Sequence, residues 1–142
     1  MLEEFKKLGL SDNTLAALSK KGFEEPTQIQ KEVISLFLKA DCDIVGQAQT
    51  GTGKTAAFGL PLIEKINKRM KSPQAIILTP TRELAVQVAE EINSLKGRKG
   101  LDIAAIYGGQ SMSQQLYRLR RGVDIVVGTP GRVKDHLLRK TL

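Results

Sequence analysis

The chain has one cysteine, one histidine and no long apolar run, and each shortage removes a class of explanation. A lone Cys42 rules out an internal disulfide, and between Asp41 and Asp43 it lacks the positive surroundings that make a thiolate reactive. The lone His136 follows Asp135 on an expected helix and reads as a surface residue rather than a ligand. No run approaches the roughly 18 uninterrupted apolar residues of a membrane span. The start, Met1-Leu-Glu-Glu-Phe-Lys-Lys, turns acidic too early for a secretory signal, so a cytoplasmic protein with no membrane partner is expected. Solenoid repeats and low-complexity linkers are also absent, and 142 residues suffice for about one domain with a sizeable core.

What is present in excess is positive charge. Lys and Arg number 22 against 15 Asp and Glu, a net charge of +7 that favours polyanionic partners, above all nucleic acid. The same cations have a second reading. Lys68-Arg69-Met70-Lys71, Lys96-Gly97-Arg98-Lys99 and Arg118-Leu119-Arg120-Arg121 all fall at expected helix C-termini, where the dipole alone favours them.

The chain is organised around Ala48-Gln49-Thr50-Gly51-Thr52-Gly53-Lys54-Thr55, set between the apolar run Asp43-Ile44-Val45 and the helix-forming Ala56-Ala57-Phe58. Gly51 and Gly53 permit positive φ and close approach, so successive N–H groups can point at a polyanion. Lys54 supplies a point charge, and Thr55 a hydroxyl able to ligate Mg²⁺ at a helix start that already favours phosphate. The Walker A pattern wants glycine where Ala48 stands, so the match lacks one glycine.

Before this loop, a short lead-in over Leu2–Leu10 precedes a helix capped by Ser11 or Asp12, with an apolar face of Leu15, Ala16 and Leu18, ending at Gly22. A second helix starting at Thr27 carries Ile29, Val33, Ile34, Phe37 and Leu38 at helical spacing. From residue 43 the pattern changes to short continuous apolar runs, Ile44-Val45, Ala75–Leu78, Ile103–Tyr107 and Asp124–Val127, which suit strands buried on both faces of a parallel sheet. The connecting segments, Thr55–Arg69 with a kink expected at Pro61, Arg82–Lys96 and Ser113–Arg121, are long enough for crossover helices. The expected fold is one α/β domain over residues 1–142, a mostly parallel sheet with helices on both faces.

In such a sheet ligands bind where strands end and helices begin. Two strand ends besides the loop share the order Thr-Pro, one small residue, Arg: Thr79-Pro80-Thr81-Arg82 and Thr129-Pro130-Gly131-Arg132. Thr-Pro is good helix-start chemistry by itself, with Arg82 free to pair with Glu83. Two such sites, plus Gly108-Gly109 where bare amides can be approached, also form a track for a phosphodiester backbone, insensitive to base sequence. Thr27 and Gln30 make a capping box. Alternatively, Gln30 turns its carboxamide outward, where donor and acceptor match adenine N6 and N7, with Phe23 packing on the base.

These segments together resemble the DEAD-box RNA helicases: Gly22 to Gln30 the Q motif, Ala48 to Thr55 motif I, Pro80 to Ala85 motif Ia, Gly108-Gly109 the GG element and Thr129 to Arg132 motif Ib, in matching order and spacing. That family itself carries alanine at the position of Ala48. The resemblance implies a RecA-like P-loop NTPase domain that binds ATP and Mg²⁺ and, independent of sequence, single-stranded or duplex RNA. Phe23, Thr27 and Gln30 would hold adenine, and the segment from Ala48 through Gln49, Thr50, Gly51, Thr52 and Gly53 to Lys54 would hold the phosphates. Lys54 and Thr55 would serve catalysis, Thr55 through the Mg²⁺ of the nucleotide. Pro80, Thr81, Arg82, Gly108, Gly109, Thr129, Pro130, Gly131 and Arg132 would contact the RNA sugar-phosphate backbone.

One departure matters. No Asp-Glu-Ala-Asp occurs between Met1 and Leu142; Asp124 precedes its strand and Glu90-Glu91 lies mid-helix. A Walker B element needs an acidic pair at the C-terminal end of an apolar strand, to hold Mg²⁺ and orient the attacking water. The family's second RecA-like domain, expected in a full-length chain, is also missing. The chain therefore reads as the N-terminal part of the first RecA-like domain of an ATP-dependent RNA helicase, incomplete at its C-terminal end and inactive by itself. The alternative is a non-catalytic adenine-nucleotide or RNA-binding module.

Overall fold

The computed structural model describes residues 2–67, 70 and 72–142. They form two compact units, one comprising the residues up to 65 with 94–99, the other residues 66–93 with 100–142.

In the first unit, α1 (Glu3–Lys7), α2 (Asp12–Lys20), α3 (Gln28–Lys39) and α4 (Lys54–Lys65) follow one another. Helix α3 packs on α4, and Ile34, Leu60 and Ile63 are fully buried, each contributing about 1.5–3 kcal/mol. Phe5 is fully buried too and meets Phe23 edge-to-face, with ring centroids 6.1 Å apart. Ser11 caps α2, as expected, but the buried face is Thr14, Ala17 and Leu18, with Ala16 exposed. A carboxylate satisfies the polar groups at its start: Glu64 Oε1 accepts from the Thr14 hydroxyl at 2.5 Å, the Ser11 hydroxyl at 2.8 Å and the Ser11 amide at 2.9 Å. Helix α4 runs through Pro61 and stops at Lys65, short of the expected Arg69; Lys68, Arg69 and Lys71 lie outside the described residues. Its last turn is capped from elsewhere in the chain, by Lys99 Nζ donating to the Glu64 carbonyl at 3.1 Å and to that of Ile63.

The strand expected at Ile44-Val45 does not form. Residues 43–49 are irregular and Val45 is 99% exposed. A strand exists only where its amides and carbonyls meet a neighbour's, and no described strand pairs with this run.

The second unit holds β1 (Ala75–Leu78), most of α5 (Arg82–Leu95), β2 (Ile103–Ile106), α6 (Met112–Arg120), β3 (Ile125–Gly128) and α7 (Pro130–Leu138). The sheet is parallel with order β1-β3-β2, and Ile125 lies opposite both Ala75 and Ile103. Central β3 is buried throughout, whereas Ile76 and Leu78 on edge strand β1 are exposed. Ala104, Ile106, Val123, Val126 and Val133 form the core beneath Leu119 and Leu142. Gly128 lets α7 turn back so closely that a Cβ there would stand 2.5 Å from Val133 Cγ2 and 2.7 Å from the Ile106 carbonyl. His136, expected at the surface, is fully buried: Nδ1 lies 2.9 Å from Thr141 Oγ1, just past the helix, and Nε2 2.9 Å from Gln115 Oε1, 21 residues away, a partner no local pattern announces.

Candidate functional sites

The loop of residues 48–53 owes its shape to carbonyls held from inside the unit. Lys54 Nζ donates to the Ala48 carbonyl at 2.5 Å, and Thr52 Oγ1 to that of Gln49 at 2.6 Å. Thr27 Oγ1 donates to the Thr52 carbonyl at 2.9 Å, and Gln30 Nε2 to that of Gly53 at 3.2 Å. The amides behave oppositely. From Gly51 through Ala56 no described residue accepts from a backbone N–H, and the first bond of the series is Ala57 to the Gly53 carbonyl at 3.0 Å. Orphan amides at a helix start, with the dipole behind them and the exposed Lys54 beside them, suit an anion. Thr55 is half-buried in the first turn, and Thr50 is exposed.

Gln30 is not turned outward as expected. It is 1% exposed; its Oε1 accepts from the Thr27 amide at 3.0 Å while Nε2 reaches Gly53. Each end of the carboxamide keeps one further hydrogen-bonding valence. The capping box is present, and the same two side chains brace the loop, a contact between segments about two dozen residues apart that sequence spacing did not disclose. Phe23 sits against Phe5 and lines an open cleft with Lys21, Gly22, Glu24 and Glu25.

In the second unit two arginines converge on one glycine loop. Arg82 Nη1 lies 3.4 Å from where a Gly109 Cβ would stand, and Arg132 Nη1 donates to the Gln110 carbonyl at 3.0 Å. Arg82 also pairs with Glu83 at 2.9 Å, the local partner foreseen for it; both side chains are exposed, so the pair adds little stability. Thr81 rather than Thr79 caps α5, accepting from the Leu84 amide at 3.2 Å. Thr79 is buried and donates to the Thr81 carbonyl at 3.1 Å. Thr129 is the N-cap residue of α7, with Pro130 at its first position. Its hydroxyl makes no capping bond, so it differs from the expected cap. Pro80, Gly108, Gly109, Pro130 and Gly131 are exposed around the arginines, as a sugar-phosphate track requires.

Gln115, which the sequence did not single out, accepts from Arg132 Nη1 at 3.0 Å and is almost completely buried. Burial, reinforced by the Arg132 charge, lowers the His136 pKa and keeps its ring neutral; Asp135 opposes this and Arg139 adds to it. Asp124 is structural, its Oδ2 accepting from the Asp102 amide at 2.8 Å.

Known proteins are similar to this chain in sequence and in fold. A probable ATP-dependent RNA helicase of Methanocaldococcus jannaschii is 58% identical over 138 residues, covering 97% of this chain and 37% of that protein. The DEAD-box ATP-dependent RNA helicase CshA of Bacillus cereus is 52% identical over 97% of this chain and 26% of its own length. The chain thus spans about a third of these relatives or less. Among solved structures, a DEAD box protein from Methanococcus jannaschii superposes with a TM-score of 0.93 at 57% identity, covering 98% of this chain and 38% of that one. Dbp5 of S. cerevisiae, solved bound to RNA and ADP BeF3, gives 0.89 at 33% identity over 99% of this chain and 35% of its own. The family model for DEAD/DEAH box helicases matches residues 27–142. A match that starts at Thr27, which braces the glycine loop, and continues through both arginines leaves only the first helices outside it, and the chain belongs to the DEAD/DEAH box helicase family.

Proposed function

We propose that these residues supply the ATP-binding loop and part of the single-stranded RNA track of an ATP-dependent RNA helicase. The observation that carries the reading is the run of amides from Gly51 to Ala56 with no acceptor among the described residues. The chemistry of the site fits a nucleotide: the amides and Lys54 would hold its phosphates, and the Thr55 hydroxyl would ligate Mg²⁺. ATP with Mg²⁺ supplies, when bound, the phosphoanhydride whose hydrolysis drives remodelling. Gln30, through its remaining donor and lone pair, would read adenine, with Thr27 and Phe23 beside it. Arg82 and Arg132, flanking Gly108-Gly109, would grip backbone phosphates and so select no base sequence.

Hydrolysis needs more than these 142 residues contain. None of β1 to β3 ends in an acidic residue, and a finger arginine alone is worth about 10³ to 10⁵ in turnover. We assign this chain the binding half of the cycle, with the water-orienting carboxylates and a second RecA-like domain coming from the rest of a longer protein. Titration of ADP against the chain and against Lys54→Ala tests the assignment. An affinity loss of about 1.5–3 kcal/mol is expected for a charged hydrogen bond, and equal affinities refute it.

A further inference from the structure

The Gln115 carboxamide, on α6, is saturated. Nε2 donates to the Tyr107 carbonyl at 2.9 Å and to Gln110 Oε1 at 3.1 Å, while Oε1 accepts from Arg132 Nη1 at 3.0 Å and lies 2.9 Å from His136 Nε2. Two donors and two lone pairs are its full capacity. Since both amide protons point at Tyr107 and Gln110, Oε1 can only accept, and His136 must carry its proton on Nε2. Its Nδ1 then faces the Thr141 hydroxyl at 2.9 Å, whose one proton is shared between Nδ1 and the His136 carbonyl at 3.0 Å. Arg132 is held at two points through one nitrogen, Nη1, by Gln115 and by the Gln110 carbonyl at 3.0 Å. Its Nε and Nη2 donate to no described residue, and these two nitrogens form the edge that meets a phosphate in bidentate fashion.

We propose that Gln115 and His136 are positioning residues for the RNA contact: Gln115 locks Arg132 against the Gly108-Gly109-Gln110 loop with its Nε–Nη2 edge left for a backbone phosphate, and His136 locks Gln115. This rests on the RNA reading above and adds what orients the arginine. An unheld arginine must lose rotamer freedom when it binds, which weakens affinity by about 2- to 12-fold. A locked one has already lost it.

The test has two arms, both on the full chain. In the first, anisotropy with a labelled oligouridine strand compares the unsubstituted protein with Gln115→Leu, Arg132→Ala and the double variant. Arg132→Ala is expected to weaken binding at least about tenfold and to lower the salt slope by about 1. Gln115→Leu weakens it about 2- to 12-fold and adds nothing in the Arg132→Ala background. His136→Gln, whose Nε2 can donate from the same place, keeps the affinity, whereas His136→Leu behaves like Gln115→Leu. Additive losses, or normal binding by His136→Leu, overturn the proposal. The second arm uses nitrogen NMR without RNA. It should find the His136 proton on Nε2, and slow rotation about the Arg132 Nε–Cζ bond that Gln115→Leu makes fast. A proton on Nδ1, or rotation indifferent to Gln115, overturns it. Failure of the unsubstituted chain to bind RNA defeats the RNA reading instead, and is told apart because the NMR arm uses no RNA.

Discussion

Replacing Gly53 by alanine tests whether the loop of residues 48–53 is held by Gln30. Gly51 and Gly53 have φ of +80° and +83°, so alanine at either carries the left-handed penalty of about 1–2 kcal/mol. They differ in surroundings. A Cβ on Gly51 meets nothing within 4 Å, whereas one on Gly53 overlaps Gln30 Nε2 and stands 3.2 Å from its Cδ. Gln30 cannot step aside cheaply, because it is 1% exposed and bonded at both ends, to the Thr27 amide and the Gly53 carbonyl. Losing those two bonds costs about 1–3 kcal/mol more. Gly53→Ala should therefore destabilise by about 2–5 kcal/mol in urea unfolding, and Gly51→Ala by about 1–2. In a Gln30→Ala background the clash is gone, and Gly53→Ala should drop to the Gly51→Ala value. Equal costs for the two glycines in the unsubstituted background would show that Gln30 does not support the loop.

Other outcomes follow from the second unit and from the missing carboxylates. Because burial holds the folded-state His136 pKa below its ordinary 6.5, the unfolded chain binds more protons, and the stability this gives is complete above pH 6.5 and lost as pH falls through the folded value. Urea midpoints at pH 7.5 and 5 should converge in His136→Gln relative to the unsubstituted chain; an unchanged gap refutes the burial account. Asp124→Ala, which removes the acceptor for the Asp102 amide at 2.8 Å, should cost about 1–3 kcal/mol in the same assay, and a neutral result would mean water replaces it. Phosphate release by the 142-residue chain should not rise when RNA is added; RNA-stimulated turnover abolished by Lys54→Ala would show that the chain carries its own carboxylates.

The strand and helix order was legible because it is written locally. Ala75–Leu78 and Asp124–Val127 announce strands by continuous apolar runs, the second realised as Ile125–Gly128, and Thr129-Pro130 announces a helix start. That β3 is central and β1 an edge was not, since both runs look alike and only pairing separates them. Ile44-Val45 has the same composition and forms no strand, because a strand is a property of two segments rather than one. On α2, Thr14 lies on the buried face with Ala17 and Leu18, and the Glu64 carboxylate that accepts from its hydroxyl is some fifty residues away. His136 and Gln115 were misread or overlooked for the same reason. Each is polar by composition, and its buried partners, the other among them, are set by tertiary structure.

Both candidate sites treat an incoming anion alike. In the loop, the carbonyls of Ala48, Gln49, Thr52 and Gly53, which would repel a phosphate, each accept from a side chain, while the amides from Gly51 to Ala56 have no acceptor among the described residues. At Arg132 one nitrogen is tied to the Gln110 carbonyl and Gln115, and the edge suited to phosphate is left over. Donors fixed before the ligand arrives need no reorganisation when it binds, and their worth rises with the order already imposed on them. The side chains of Thr27, Gln30 and Thr52 at the loop and Gln115 at Arg132 would therefore govern affinity although none of them need touch a phosphate. Thr27 shows this most directly: its hydroxyl touches the loop only through the Thr52 carbonyl, so its removal should loosen phosphate binding without removing any donor to phosphate.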